Sequence, residues 1–305
     1  MRRSWSENKE QALDYTTQLL DSYSRYPGRE AELSPALYRE QELQSFVAAF
    51  PRQAKIFGRP FRLGLMSFFT VAPEWKGQGY GKAIWVECLN RLQQLGYDGA
   101  LHYCVNGNIS NFVTAAAVRQ AGCILIELRT VPYLMRILKP APTSDSPTPP
   151  ATSDLLLELA SEVQASACRL WTPAEASWQL EQRPGALSMA AEQGGLLSGV
   201  RMNIADAHNT GCVIFEDILW ERLPPESQEQ LLQAFLTQAI AGGARVAMAP
   251  ELGYATLDTF RKSGFRKSTR LLRAYLTVWK EDVADWLRQS IASSDQDLSL
   301  YMDVY

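Results

Sequence analysis

The chain has 305 residues, about twice the length of an average domain, so two domains are expected. Apolar residues make up 46% and charged residues 21%, which excludes disordered, collagen-like and coiled-coil proteins. A net charge of −3, short apolar runs and an N-terminus without an apolar segment argue against nucleic-acid binding, a membrane span and a secretory signal. We therefore expect a cytoplasmic protein with no nucleic-acid or membrane partner.

The first half of the sequence alternates strands and helices. The predicted elements are a helix Glu7–Tyr23, strands Gln44–Phe50 and Leu63–Ala72, a turn Glu74–Gly81, a helix Lys82–Leu95, a strand Ala100–Val105, a helix Ser110–Ala121 and a strand Cys123–Leu128. In the helix after the turn, apolar residues recur every three or four positions, as on one buried face. This order predicts an α/β fold (an α+β mixed sheet) with helices packed around one sheet.

Lys139–Ser153 separates the two halves. Five of its fifteen residues are proline and six are serine or threonine, so it cannot bury enough apolar surface to offset the entropy of ordering. The expected division is a first domain at 1–138, a linker at 139–153, a second domain at 154–291 that ends in a helix Lys280–Ile291, and an acidic tail at 292–305.

The second half repeats the rhythm of the first. Matching segments are LQQ at 92–94 with LTQ at 236–238, GA at 99–100 with GA at 243–244, and RQAG at 119–122 with RKSG at 261–264. The residue numbers differ by 144 in the first two pairs and by 142 in the third. We therefore expect an internal duplication with two separately compact halves of one fold.

Cysteine and histidine offer no metal site. The five cysteines include no C-x-x-C pair and there are two histidines, so the ligands of a zinc centre are lacking. No metal is expected. All five thiols are interpreted as reduced and mostly buried, at Cys88, Cys104, Cys123, Cys168 and Cys212.

The segment Thr70–Lys82, TVAPEWKGQGYGK, places three alternate glycines between a strand and a strong helix. Glycines allow positive φ and close approach of the backbone to a ligand, and the N–H groups that begin a helix attract anions. Lys76 and Ala83 exclude a Walker A loop, and Lys82 excludes a dinucleotide-binding G-x-G-x-x-G.

This segment resembles the acyl-CoA signature of GNAT-type N-acetyltransferases, V-x-P followed by (R/Q)-x-x-G-x-(G/A), with Lys76 in place of Arg or Gln. The resemblance implies that acetyl-CoA is the co-substrate, with its pyrophosphate on the glycine loop and its pantetheine arm beside the preceding strand. The implied CoA-binding residues are Phe69, Thr70, Val71, Lys76, Gly77, Gln78, Gly79, Tyr80, Gly81, Lys82, Asn106 and Asn111. Asn111 is equally interpreted as a helix cap.

The catalytic residues are not identified by the resemblance. The family often places a tyrosine acid where this chain has Val118, and Cys123 replaces a phenylalanine. A general base has to take a proton from the amine. Glu74 lies in a solvated loop and His102 is interpreted as a packed strand residue. The remaining candidate pocket residues are Glu127 and Tyr133.

The second half resembles a degenerate copy of the same domain. The positions that match the glycine loop, Trp220–Pro225, contain no glycine, whereas Phe260–Phe265 keeps the family's R/K-x-x-G-F ending. The sequence therefore predicts a tandem GNAT-like N-acetyltransferase that transfers acetyl to a primary amine. The alternatives are a non-catalytic acyl-CoA-binding or sensor protein and a scaffold. A homodimer is left open.

Overall fold

A computed structural model describes residues 13–14, 16–105, 109–139, 149–204 and 208–293. The strands are β1 (Leu13–Asp14), β2 (Ala36–Arg39), β3 (Glu42–Ile56), β4 (Arg59–Val71), β5 (Gly99–Val105), β6 (Ile124–Ile137), β7 (Ala167–Leu170), β8 (Ala186–Ala191), β9 (Gly195–Ile204), β10 (Gly211–Leu219), β11 (Val246–Pro250) and β12 (Arg266–Val278). The helices are α1 (Thr17–Ser24), α2 (Tyr80–Gln94), α3 (Ile109–Gln120), α4 (Ser153–Glu162), α5 (Pro173–Ser177), α6 (Pro225–Ala241), α7 (Asp258–Lys262) and α8 (Glu281–Ala292). The expected mixed α/β fold is confirmed.

All twelve strands form one sheet, whose central order is β9-β10-β11-β6-β12-β5-β4-β3. The last strand of each half lies in the other half: β12 pairs with β5 from Leu272 to Val278, and β6 pairs with β11 from Tyr133 to Ile137. β6 and β12 also pair with each other at the centre. The expectation of two separately compact halves is therefore wrong, because each half is completed by a strand of the other.

The two halves repeat one order of elements, and the offset of the repeat differs from the expected one. The buried positions of α2 are Gly81, Ile84, Trp85, Cys88, Leu89 and Leu92, and those of α6 are Gln228, Leu231, Leu232, Phe235, Leu236 and Ala239. Each member of the second set has a number 147 higher than its counterpart in the first. The expected offset of 144 is therefore wrong by nearly one helical turn. The offset of 142 is confirmed by the first residues of β6 and β12, Ile124 and Arg266.

The first helix is shorter than predicted. Thr16 ends the extended segment and caps α1, because its Oγ1 accepts a hydrogen bond from the Leu19 amide at 3.1 Å. Leu13–Asp14, predicted as helix, pairs with β9 as a strand. The C-terminal helix is confirmed as α8. The linker lies largely outside the described residues, and the domain boundaries stay a prediction.

A central aromatic cluster joins the halves. Trp178 of the second half packs against Tyr23 and Tyr26 of the first, with ring centroids 5.0 and 4.9 Å apart. The Tyr26 hydroxyl donates to Glu175 at 2.5 Å, and Glu175 forms a buried ion pair with Arg169 at 3.1 Å. The two halves therefore share a core as well as a sheet.

All five cysteines are reduced thiols and four are buried, as expected. Burial raises the pKa of the Cys88 thiol to about 12, so it stays protonated at neutral pH. No helix in the described ranges is long and apolar enough to cross a membrane.

Candidate functional site

A crevice opens in the first half where β4 and β5 diverge. These parallel strands pair only from Leu63–Leu65 with Gly99–Leu101, although both continue for several residues toward the glycine loop. β4 also contains a β-bulge at Phe68, whose φ is +56°, between the pairs that Ser67 and Thr70 form with Ala48 and Phe46 of β3. The two strands therefore separate beyond Leu65 and Leu101 and leave a crevice between their ends.

The glycine loop leads from this crevice into α2. Gly77 and Gly79 have φ of +78° and +86°, which only glycine adopts without strain. The first helical hydrogen bond runs from the Ala83 amide to the Gly79 carbonyl at 3.0 Å, and Gly79 provides no side-chain cap. The N–H groups of the first turn are therefore directed outward at the positive end of the helix dipole, as an anion site requires.

Aromatic contacts support this loop. Arg39 lies over the Trp75 ring at 5.2 Å, and Trp75 meets Tyr80 edge to face at 5.7 Å. The side-chain amide of Gln78 donates through Nε2 to the Glu74 carbonyl at 3.2 Å. These contacts hold the loop from outside and leave Gly77 and Gly79 open, because an added Cβ at either would meet no heavy atom within 4 Å.

Gly81 has a different reason to be glycine. A Cβ there would lie 2.9 Å from Cζ of Phe69 and 3.0 Å from Cγ2 of Val71. The missing side chain lets α2 sit directly on β4. Of the three glycines expected to approach a phosphate, this one is required for packing.

The crevice is backed on the α2 side by buried aromatic side chains. Phe69 meets Trp85 edge to face at 5.2 Å, and His102 lies 5.3 Å from Trp85 and 5.3 Å from Tyr275. Neither His102 ring nitrogen has a hydrogen-bond partner among the described residues, and burial lowers the pKa of His102 to about 3. The interpretation of His102 as a packed, neutral strand residue is confirmed.

The opposite side of the bulge is closed by aromatic rings. Phe68 packs against Tyr23 at 4.8 Å and against Phe50 at 5.7 Å, and all three are buried. Partly buried Phe46 and Tyr103 border this cluster. The bulge and its aromatic backing had no signal in the sequence, since Phe68 stands in an ordinary apolar run.

The two candidate pocket residues lie on β6, which β12 and β5 separate from β4. Glu127 pairs with Arg273 at 3.4 Å and accepts from Thr130 at 3.0 Å, whereas Tyr133 is buried in the central aromatic cluster. Three strand spacings of about 4.8 Å place β6 roughly 14 Å from β4. Phe69–Lys82 lie together at one site, whereas Tyr133 shares its buried cluster with Phe68 of the bulge. A role for Glu127 or Tyr133 stays a prediction.

Four further residues were considered from the sequence. Asn106 lies outside the described residues, and Asn111 belongs to α3 but its side chain is outside them. Val118 is buried between α2 and α3. Glu74 is exposed at the rim of the loop. No group of three or more metal-ligating side chains occurs in the part of the chain that the structure describes.

The equivalent crevice of the second half is filled by its own side chains. β10 and β11 pair only from Cys212–Ile214, and β10 then bulges next to Glu216. Glu216 is buried against Arg183 at 2.8 Å. The Ile218 amide, which lies beyond the bulge, donates to the Tyr254 hydroxyl at 3.0 Å. The space beyond the bulge of β10 is therefore occupied by side chains of the second half itself.

The loop before α6 also lacks the features of an anion-binding site. α6 begins with Pro225 and Glu226, and the Gln228 side chain donates to the Trp220 and Leu223 carbonyls at 3.3 and 3.1 Å. At the offset that relates α2 to α6, the positions that match Lys76–Gly81 are 223–228, and they contain no glycine. A proline without an N–H and an acidic side chain oppose anion binding here.

Solved structures are similar to this chain, whereas no protein-family model and no curated protein sequence matches it. N-myristoyltransferase of Saccharomyces cerevisiae with bound myristoyl-CoA superimposes with a TM-score of 0.68 at 14% identity, over 87% of this chain and 74% of that one. A second structure of it, with myristoyl-CoA and inhibitors, gives 0.66 at 14% identity over 87% and 72%. A GCN5-related N-acetyltransferase from Anabaena variabilis gives 0.48 at 12% identity over 87% and 69%. The chain therefore shares the fold of N-myristoyltransferase.

Proposed function

We propose that this protein is an acyl-CoA-dependent N-acyltransferase that moves an acetyl group from acetyl-CoA to a primary amine. The observation that carries the proposal is that the crevice between the diverging strands β4 and β5 leads directly to the N-terminus of α2, which has no side-chain cap. A pantetheine arm fits along the crevice and a pyrophosphate at the helix N-terminus. The second half offers neither feature, so one donor site per chain follows.

The chemistry assigned to the crevice is direct attack. The neutral amine nitrogen bonds to the thioester carbonyl carbon, the carbon–sulfur bond breaks, and the thiolate leaves as CoA. The proton lost by nitrogen passes to solvent. We assign the stabilisation of the oxyanion that forms during attack to backbone N–H groups that border the crevice.

The space behind the bulge limits the length of the acyl chain that can bind. The yeast protein in the comparison holds myristoyl-CoA, a fourteen-carbon donor. Here Phe68, Phe50 and Tyr23 pack tightly behind the bulge, where a long chain would have to continue. A filled interior favours a short acyl group, so acetyl is the proposed donor and a long acyl chain is the second candidate.

A sensor that binds acyl-CoA without turnover is the alternative from another class. It is favoured by Val118, which has no proton to donate, and by the neutral, enclosed His102. The test measures CoA release from acetyl-, decanoyl- and myristoyl-CoA with a panel of amines, beside calorimetric CoA binding. Turnover supports the enzyme and identifies the chain length; binding without turnover supports the sensor; no CoA binding contradicts both.

A further inference from the structure

A second cavity lies in the other half of the molecule, away from the crevice. It has a volume of about 700 Å³ and is bounded by one face of α6 and by the ends of β6 and β12. Its apolar walls include Met135, Ile137, Leu236 and Ile240. This volume lies within the roughly 300–1,000 Å³ of small-molecule sites.

The polar part of the cavity is cationic. Arg136, Lys139 and Arg266 line it, and no carboxylate is among its described lining residues. Nη1 of Arg136 is buried and has no hydrogen-bond partner within the described ranges. Arg266 donates through Nη1 to the Phe265 carbonyl at 3.1 Å, which holds it at the rim. An anionic group is the ligand that this set would recognise, since a buried guanidinium nitrogen without an acceptor is unfavourable.

Comparison of the two halves shows why the cavity exists. In the first half, Trp279 follows β12, packs onto the core beside α2, and donates through Nε1 to the Tyr97 carbonyl at 2.6 Å. Ile137 occupies the equivalent position at the end of β6, by the offset that relates β6 to β12, and is 80% exposed. Ala244 stands where the first half has Tyr97, by the offset that relates α2 to α6. The indole that packs onto the first half is thus replaced by Ile137 on the cavity wall, and Ala244, which lies outside the lining, has no ring like that of Tyr97.

We propose that this cavity binds a single-chain amphiphile with an anionic head, such as a fatty carboxylate. The apolar walls would cover the alkyl chain, and Arg136 and Lys139 would hold the head group. The apolar walls and the cationic groups belong to the same cavity, and every charged side chain among its described lining residues is cationic. The inference does not depend on acyl transfer, because the cavity lies in the half that has no glycine loop.

The test is calorimetric titration of the full-length protein with dodecanoate below its micellar concentration, without CoA. One molecule should bind per chain, and dodecylammonium, which has the same chain and the opposite charge, should bind at least about tenfold more weakly. Dodecyl phosphate separates the two possible head groups: similar binding assigns the site to anionic amphiphiles generally, and weaker binding assigns it to carboxylates.

Two matched pairs of variants locate the site. Thr237→Trp, on the lining face of α6, should fill the cavity and weaken dodecanoate at least about tenfold, whereas Gln238→Trp, on the exposed face, should change affinity less than about twofold. Lys139→Glu should weaken binding several-fold and Lys267→Glu, an exposed cation outside the lining, should not. Circular dichroism checks that each variant folds. Equal binding of dodecylammonium, no binding, or no difference within both pairs would overturn the proposal.

Discussion

Gly79 and Gly96 form a matched pair at the two ends of α2. Both have positive φ, +86° and +75°, and an added Cβ at either meets no heavy atom within 4 Å. Alanine should therefore cost each a similar strain of about 1 kcal/mol. Only Gly79 lies in the glycine loop that is proposed to bind the phosphates. Gly79→Ala should therefore raise the Kd for CoA about tenfold or more, whereas Gly96→Ala should leave it unchanged. Calorimetry with CoA distinguishes them. Equal affinity of the two folded variants for CoA would show that the glycine loop does not bind the phosphates.

At Gly81 the expected effect of a substitution is on stability. Its Cβ would meet Phe69 and Val71, so Gly81→Ala should lower the free energy of unfolding by about 1–3 kcal/mol through overpacking. Denaturant unfolding measures this loss. A variant as stable as the parent would contradict the role assigned to Gly81 in seating α2 on β4.

His102 predicts a pH dependence of stability. Burial lowers its pKa from 6.5 to about 3, so between these values the unfolded chain binds a proton that the folded chain does not. The contribution of His102 is fully present above pH 6.5 and is lost toward pH 3, by about 1.4 kcal/mol per pH unit. Unfolding titrations of His102→Phe should lack this slope, and the exposed His208→Gln should keep it. Parallel curves for all three proteins would show that His102 is not buried as a neutral ring.

At the scale of elements, α2 and α6 are equivalent helices with different N-termini. α2 begins after glycines with open amides, and α6 begins with Pro225 and Glu226 and has the Gln228 side chain on the loop carbonyls. We expect one CoA per chain by calorimetry, with hydrogen-exchange protection at 76–83 and none at 223–228. Two CoA molecules per chain, or protection of the second loop, would show that α6 also binds the phosphates.

The central strands and helices of the first half were predictable from periodicity, but the equivalence of α2 and α6 across the repeat was not. The LQQ segment of α2 matches LTQ of α6 by residue type, whereas the buried faces of the two helices match three positions further along α6. The two alignments are easily confused, because residues three positions apart lie on nearly the same face of a helix. The glycine loop was predictable because its residues are themselves the signal. The β-bulge at Phe68 and the burial of Val118 were not, since they depend on contacts between distant elements.

At the scale of the whole molecule, the pairing of β6 and β12 decides the architecture. Both strands are long, both follow an R-x-x-G turn, and both have the pattern of a buried strand. No local feature of the sequence of β6 or β12 shows which half of the sheet that strand completes. The Pro-rich linker indicated a boundary, yet the exchange of strands makes the halves interdependent. The sheet between β5 and β11 consists of β6 and β12 alone, so removing either half leaves an unpaired, apolar edge.

Cleavage of the linker tests this interdependence. A protease site placed within 140–148 should yield two fragments that stay associated and unfold in a single transition, because β12 remains between β5 and β6. Once separated in denaturant, neither fragment should unfold cooperatively alone, since each lacks its last sheet partner, and mixing them should restore the transition. The uncut protein carried through the same denaturant steps is the control. A fragment 1–139 that unfolds cooperatively by itself would show that the first half is an autonomous domain and that the exchanged strands are dispensable for its folding.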